Sequence, residues 1–196
     1  MSGKMMLVLL MAAGLAVAGC QSTADTSTSI APDQKAQTRA DVNTMANNTL
    51  ARLDSLMPGT RRTIENAAGY AVFTNYGMQV LVVGGGAGKG VAVNNRTRGQ
   101  TYMRMVEGQA GLGLSARKLQ LVWAFDTEQK FNDFVNKGWT LGGQGSASAT
   151  YEKKGGSYEG AVQVEPGVWL YQLTETGLAL ELTVQGSKYY KDDQLN

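Results

Sequence analysis

Residues 70–93 read Tyr-Ala-Val-Phe-Thr-Asn-Tyr-Gly-Met-Gln-Val-Leu-Val-Val-Gly-Gly-Gly-Ala-Gly-Lys-Gly-Val-Ala-Val. Two runs rich in β-branched and aromatic residues flank residues 84–90, where five of the seven positions are glycine. Glycine allows the backbone conformations that tight turns require, and such runs are typical of paired strands. The stretch therefore predicts a β-hairpin with a glycine-rich turn.

The same glycines do not form a phosphate-binding loop. Lys89 follows Gly88 as a P-loop lysine would, but the glycine required five residues before Gly88 is Val83. Gly90 stands where the motif needs serine or threonine. Residues 91–93 then alternate like a strand, whereas phosphate-binding motifs need the start of a helix. Nucleotide binding is not expected here.

Composition limits the functions that the chain can have. Its 196 residues suit one main domain, and 25 glycines against 3 prolines suit a β-rich fold with many turns. Histidine is absent and Cys20 is the only cysteine, which excludes His-dependent catalysis, an intrachain disulfide and multi-thiolate metal sites. The 18 basic and 16 acidic residues nearly balance. We expect no enzyme activity, no cofactor, no metal and no nucleic-acid partner.

The N-terminus is typical of an exported, lipid-anchored protein. Lys4 precedes an apolar stretch at residues 5–18, and residues 15–20, Leu-Ala-Val-Ala-Gly-Cys, resemble the lipobox of bacterial lipoproteins. This resemblance implies a signal peptide at residues 1–19 and acyl chains on Cys20, each buried methylene contributing ~0.8 kcal/mol of membrane affinity. Gln21, where inner-membrane lipoproteins tend to have aspartate, favours the periplasmic face of the outer membrane. Residues 20–31 are predicted to be a flexible tether.

The remaining chain alternates between helical and strand periodicity. Apolar residues from Val42 to Met57 recur at helical spacing, which predicts a helix from about Pro32 that packs on the domain's own sheet and ends at Pro58. A short helix is predicted at residues 60–68 with Gly69 as its C-terminal cap, and another after an Asp126 N-cap, ending at Gly138. Further strands are predicted at residues 100–106, 111–115, 119–125, 144–151, 157–164, 168–173 and 178–184.

Together these elements predict an α+β domain at residues 32–196. Its antiparallel sheet of about eight or nine strands curls into a sandwich or barrel, with an N-terminal helix and one inserted helix.

From about residue 50 onward, the chain resembles a SYLF domain. The resembling segments are residues 66–73, Asn-Ala-Ala-Gly-Tyr-Ala-Val-Phe; the glycine-rich turn; residues 108–113, Gly-Gln-Ala-Gly-Leu-Gly; residues 121–126, Leu-Val-Trp-Ala-Phe-Asp; and residues 183–186, Thr-Val-Gln-Gly. The resemblance implies binding of membrane phospholipids and no established catalysis.

Basic residues in the predicted turns are the candidate ligands for a lipid headgroup. Lys89, Arg96 and Arg98 are the first choice, because glycine lets a phosphate approach the backbone closely. Arg61 and Arg62 come next, followed by Arg104, Arg117 and Lys118. Each basic side chain near an anionic leaflet contributes about 1 kcal/mol, so they act together only if the fold gathers them. The alternative is that they are solvated turn residues.

Aromatic residues of the predicted strands allow two interpretations. They could line a lipid-sized cavity, or they could form the ordinary core, which is the commoner role of aromatics in a small sheet. The residues concerned are Tyr102, Trp123, Trp139, Tyr151, Tyr158, Trp169 and Tyr171.

The sequence thus predicts a membrane-anchored lipoprotein whose domain binds anionic phospholipid. The alternative is a structural or protein-interaction module of the envelope with no lipid recognition of its own.

Overall fold

A computed structural model describes residues 30–74, 87–107, 119–140, 158–179 and 186–196. These ranges contain the helices α1 (Pro32–Leu56), α2 (Thr60–Asn66) and α3 (Glu128–Lys137). They also contain the strands β1 (Gly69–Thr74), β2 (Ala87–Asn94), β3 (Gln100–Glu107), β4 (Gln120–Phe125), β5 (Trp139–Thr140), β6 (Val162–Glu165), β7 (Val168–Thr174), β8 (Gly177–Ala179) and β9 (Ser187–Lys191).

The strands form a single sheet in the order β5-β9-β3-β2-β1-β4-β7-β6, with β8 also paired to β7. Every pairing is antiparallel. The predicted antiparallel pairing of the two runs is confirmed, since β1 and β2 pair from Gly69 opposite Asn94 to Thr74 opposite Lys89. Of the predicted turn at residues 84–90, residues 84–86 lie outside the described residues and residues 87–90 belong to β2. The prediction of an α+β fold with a curled antiparallel sheet of eight or nine strands is also confirmed.

Helices α1 and α2 cover one side of the sheet, called the α1 side here. Pro32 occupies the first turn of α1, where its missing N–H is no loss, and the helix ends just before Pro58. The predicted stripe is buried against the sheet at Val42, Ala46, Thr49, Leu50 and Leu53. These residues meet an aliphatic sheet surface that includes Val72, Val91 and Val122.

Helix α3 covers the opposite side, called the α3 side here, and its core is aromatic. Phe134 of α3 lies among the rings of Phe73, Trp123, Phe125, Trp139 and Tyr189. Gly88 and Gly90 of β2 form part of the floor beneath them. A Cβ on Gly90 would overlap the Phe73 ring, and one on Gly88 would overlap the Thr74 carbonyl.

Several predicted boundaries are wrong. Gly69 does not cap α2 but opens β1, and β2 already begins at Ala87, within the predicted turn. The N-cap of α3 is Thr127, whose hydroxyl accepts a hydrogen bond from the Lys130 N–H at 3.3 Å, because the Asp126 carboxylate is used elsewhere. Residues 158–160 form a turn, so the strand predicted from residue 157 begins only at Val162.

Two strands, β5 and β9, were not predicted. The predicted strands at residues 111–115 and 144–151 lie outside the described residues, as do Cys20, the signal peptide and most of the tether. Within the described ranges, no helix is both long and apolar enough to cross a membrane.

Candidate functional site

Four arginines gather around the end of the sheet where β1 begins and β2 finishes. Arg61 and Arg62 belong to α2, which leads into β1, while Arg96 and Arg98 belong to the turn that follows β2. Because β1 and β2 are antiparallel, with Gly69 opposite Asn94, both segments lie at the same edge. We call these residues the arginine end.

Asparagine side chains hold this turn in place. The Asn95 side-chain amide donates to the carbonyls of Ile64 at 2.8 Å and Ala67 at 2.9 Å, tying the turn to the last residues of α2. The Asn94 carboxamide oxygen accepts from the backbone N–H groups of Arg96 and Thr97, a local contact that favours turns. The turn and α2 are therefore positioned as one unit.

The pKa of Tyr70 is affected by the charges of two of these arginines. Burial raises the pKa of its phenol, and the nearby Glu65 carboxylate raises it further. Arg61 and Arg98 both lower that pKa, since a guanidinium favours the phenolate. Charges from α2 and from the turn after β2 therefore both act on Tyr70, although its pKa is raised on balance.

Carboxylates already neutralise part of the arginine end. Arg96 pairs with Glu128 at 2.6 Å and Arg61 pairs with Glu65 at 2.9 Å. Arg62 and Arg98 make no ion pair with any described residue. Exposed ion pairs contribute only about 0–1 kcal/mol, so an incoming anion could displace either carboxylate.

Lys89 lies at the other end of β2, opposite Thr74 and Arg104. Asn94 is five positions further along the strand, a distance of about 17 Å at the usual rise. The structure therefore does not bring Lys89 together with Arg96 and Arg98. The glycines beside Lys89 were expected to leave room for a phosphate. The Phe73 side chain instead lies where a Cβ on Gly90 would point, and the Met105 side chain lies where a Cβ on Gly88 would point.

Arg104, a further candidate, already has a partner. Its Nε donates to the buried Asp192 carboxylate at 2.8 Å, and this hydrogen bond is the main reason that the Arg104 pKa is raised. Arg117 and Lys118 lie outside the described residues.

The sheet separates the aromatic residues that might have lined one cavity. Trp123 and Trp139 lie on the α3 side, whereas the α1 side holds Tyr102 and Tyr171 with Tyr158 and Trp169 packed beside them. Trp123 and Tyr171 are fully buried. Trp123 and Tyr171 therefore belong to the ordinary hydrophobic core. The six aromatic residues that the structure describes lie on two sides of the sheet, so they do not line one cavity. Tyr151 lies outside the described residues.

Sequence reasoning missed the parts played by Asn95 and Tyr70. The Asn-Asn pair at residues 94–95 after a strand is a turn signal that could have been used. The contacts of Asn95 with Ile64 and Ala67 join residues about thirty positions apart, so no pattern in the local sequence indicates them. No group of three or more acidic, histidine or cysteine residues that could hold a metal occurs in the described ranges.

The chain is similar in sequence to a named bacterial protein. No family model matches the sequence. Over 164 residues, the chain is 33% identical to a protein named beta cell expansion factor A from Aeromonas veronii. The alignment covers 84% of this chain but 61% of that protein, so the chain spans about three fifths of the relative's length.

Proposed function

We propose that this protein is a SYLF-like, membrane-anchored lipoprotein whose domain binds anionic phospholipid headgroups at the arginine end. The placement of all four arginines at one edge of the sheet, set by the pairing of Gly69 with Asn94 and by the contacts of Asn95 with α2, supports it most directly. Four arginines near an anionic leaflet would contribute about 4 kcal/mol in total, at about 1 kcal/mol each. Their pairing with Glu65 and Glu128 reduces this value.

The proposal assigns a lesser role to Lys89 than to the arginines. Lys89 is too distant from Arg98 to contact the same headgroup, although it could contact another lipid. The anchor at Cys20 supplies constant membrane affinity, and the arginine end supplies the preference for negative charge. We place the protein on the periplasmic face of the outer membrane.

Flotation with vesicles tests the proposal on residues 21–196, which lack the acylated cysteine. Vesicles containing anionic phospholipid should retain this fragment at low salt, and retention should fall as salt screens the charges. Zwitterionic vesicles should retain little. Replacing Arg61, Arg62 and Arg98 with glutamate should abolish capture, whereas Lys89→Glu should weaken it only modestly.

A matched control reverses three basic residues elsewhere. Lys137, Lys188 and Lys191 are exposed and lie on α3 and β9. Replacing them with glutamate changes the net charge equally but should leave most of the capture intact. Equal loss in both triple variants would indicate a net-charge effect and contradict a defined site. Complete failure of the wild-type fragment to float would instead favour a protein-interaction module.

A further inference from the structure

A pair of stacked aromatic rings lies beside the start of β7, on the α1 side of the sheet. The Tyr158 and Trp169 rings have centroids 5.0 Å apart and planes inclined by 21°. Both side chains are half-buried, so neither is wholly enclosed by the core. The Trp169 indole N–H donates to the Asp126 carboxylate at 3.2 Å, which fixes the indole beside an exposed negative charge.

The surroundings of these rings are acidic. Burial raises the pKa of Tyr158, and a hydrogen bond to Asp126 together with its charge raises it further. Burial also raises the pKa of Tyr171, with Glu159 as the next cause. No described basic side chain lowers either value, in contrast to Tyr70.

Neither nearby carboxylate is neutralised within the described part of the chain. Asp126 and Glu159 are both exposed and take part in none of its ion pairs. The Glu165 carboxylate, in contrast, is neutralised, because the Lys130 ammonium group pairs with it at 2.7 Å. The rings therefore border two negative charges that lack a cationic partner among the described residues.

Tyr171 lies on the same face of β7 as Trp169. Its side chain is fully buried, and its hydroxyl has no hydrogen-bond partner among the described residues. Tyr171 and Trp169 point to the same side of β7, and the Tyr171 charge acts on the Tyr158 pKa. The Tyr171 hydroxyl is enclosed in the core, so it forms part of the polar surroundings of Tyr158 and is not itself a contact for a ligand.

We propose that Tyr158, Trp169 and Asp126 form a binding site for an organic ammonium group. The faces of tryptophan and tyrosine attract cations, and aromatic sites commonly recognise quaternary ammonium groups. Asp126 supplies the opposite charge, and Glu159 strengthens the local negative potential. Calcium or magnesium would need six or more oxygen ligands, which this group of side chains does not offer. The site does not depend on the phospholipid proposal.

Indole N–H signals in two-dimensional nitrogen–proton NMR spectra provide the test, with the full chain held in a non-ionic detergent. The Trp169→Phe variant identifies the Trp169 signal. Titration with choline chloride and with ethanolamine hydrochloride should shift this signal and saturate with a Kd on the order of 10 mM for at least one of them. The signals of Trp123 and Trp139, on the opposite side of the sheet, should not move.

Matched variants separate binding from structure. Asp126→Asn keeps an oxygen that can accept from the Trp169 indole but removes the charge, and it should weaken binding about tenfold. Glu165→Gln makes the same charge change at a carboxylate already paired with Lys130, and it should alter Kd by less than about twofold. Equal weakening in both variants would overturn the site.

Two control compounds test whether the positive charge and the organic group are both needed. Sodium chloride and the uncharged choline analogue 3,3-dimethylbutan-1-ol should not reproduce the saturating shift, and a shift of equal size from either would overturn the proposal.

Glycerophosphoethanolamine is compared with free ethanolamine to find whether the ammonium group belongs to a lipid headgroup or to a small soluble compound. Tighter binding of the glycerophosphoester would support a lipid headgroup, and tighter binding of the free amine would support a small soluble ligand. Failure of all three ammonium compounds to saturate would overturn the proposal.

Discussion

The two sides of the sheet are built on different principles. On the α1 side a helix of 25 residues lies on aliphatic side chains, and polar contacts attach it to distant segments. Lys35 donates to the Asn196 carbonyl at 2.6 Å, and Arg39 donates to the Leu195 carbonyl at 2.6 Å. On the α3 side a helix of 10 residues is held by interlocking rings over a glycine floor. Aliphatic packing adapts to small changes, whereas interlocked rings above glycine leave little room for adjustment.

The largest expected effect is the loss of a ring from the α3 side. Phe134→Ala removes a fully buried side chain that contacts five other rings, so we expect a loss of about 3–5 kcal/mol in the free energy of unfolding. Leu53→Ala empties a fully buried position on the α1 side and should cost about 2–3 kcal/mol. Urea denaturation followed by circular dichroism measures both. A larger loss from Leu53→Ala would contradict the proposed difference between the sides.

A single added methyl group should also be costly on the α3 side. In Gly90→Ala the new Cβ would overlap both the Phe73 ring and the Val72 carbonyl. Backbone cannot move aside as a flexible side chain can, so we expect a loss of about 3 kcal/mol, at the upper end of the usual range for overpacking. Gly99→Ala is the control, because a Cβ there would meet only the Thr97 hydroxyl at 3.2 Å. A loss below about 1 kcal/mol in Gly90→Ala would show that the ring floor adapts.

Sequence periodicity predicted the α1 side well, because its signals are local. The stripe of α1 repeats within a few residues, and the β1 and β2 hairpin joins neighbouring apolar runs. Strand β9 was not predicted, although its buried residues Ser187 and Tyr189 alternate with exposed or half-buried ones. Its partner strand, β3, lies about eighty positions earlier in the chain. A short polar segment becomes a strand only when such a distant partner is present.

The candidate site shows the same limit. Lys89 and Arg96 are seven positions apart, yet an extended strand places them far from each other, whereas Arg61 and Arg98 come from distant segments to the same edge of the sheet. Asp126 looked like an N-cap because its local pattern permits that role. Its carboxylate instead binds Trp169, which lies 43 positions away and left no trace in the local sequence.

A smaller effect is expected at the unpaired phenol of the α1 side. Tyr171→Phe removes a buried hydroxyl that has no described partner, so at pH 8 we expect no loss of stability or a gain of up to about 1 kcal/mol. Burial raises the folded-state pKa of Tyr171 above its unfolded value. The phenol therefore does not change the pH dependence of stability below pH ~10, and it lowers the stability as the pH rises further, because the unfolded chain releases the proton first.

Comparison of urea midpoints at pH 8 and pH 11 tests this prediction. The wild-type protein should lose more stability over this interval than Tyr171→Phe, since lysine titration is common to both proteins. Identical losses would show that the phenol titrates normally and would contradict the raised pKa that its burial produces.

The smallest effect is expected where α3 meets the arginine end. The Arg96 and Glu128 side chains pair at 2.6 Å, but the Arg96 side chain is 74% exposed, so water and salt screen the attraction. Glu128→Gln should lower the free energy of unfolding by about 0.2–1 kcal/mol in low salt and by less at 1 M salt, where the Debye length is ~3 Å. The same substitution frees Arg96, so capture by anionic vesicles should increase. Thus one carboxylate slightly stabilises α3 while it weakens the proposed headgroup site, and unchanged capture would place Arg96 outside that site.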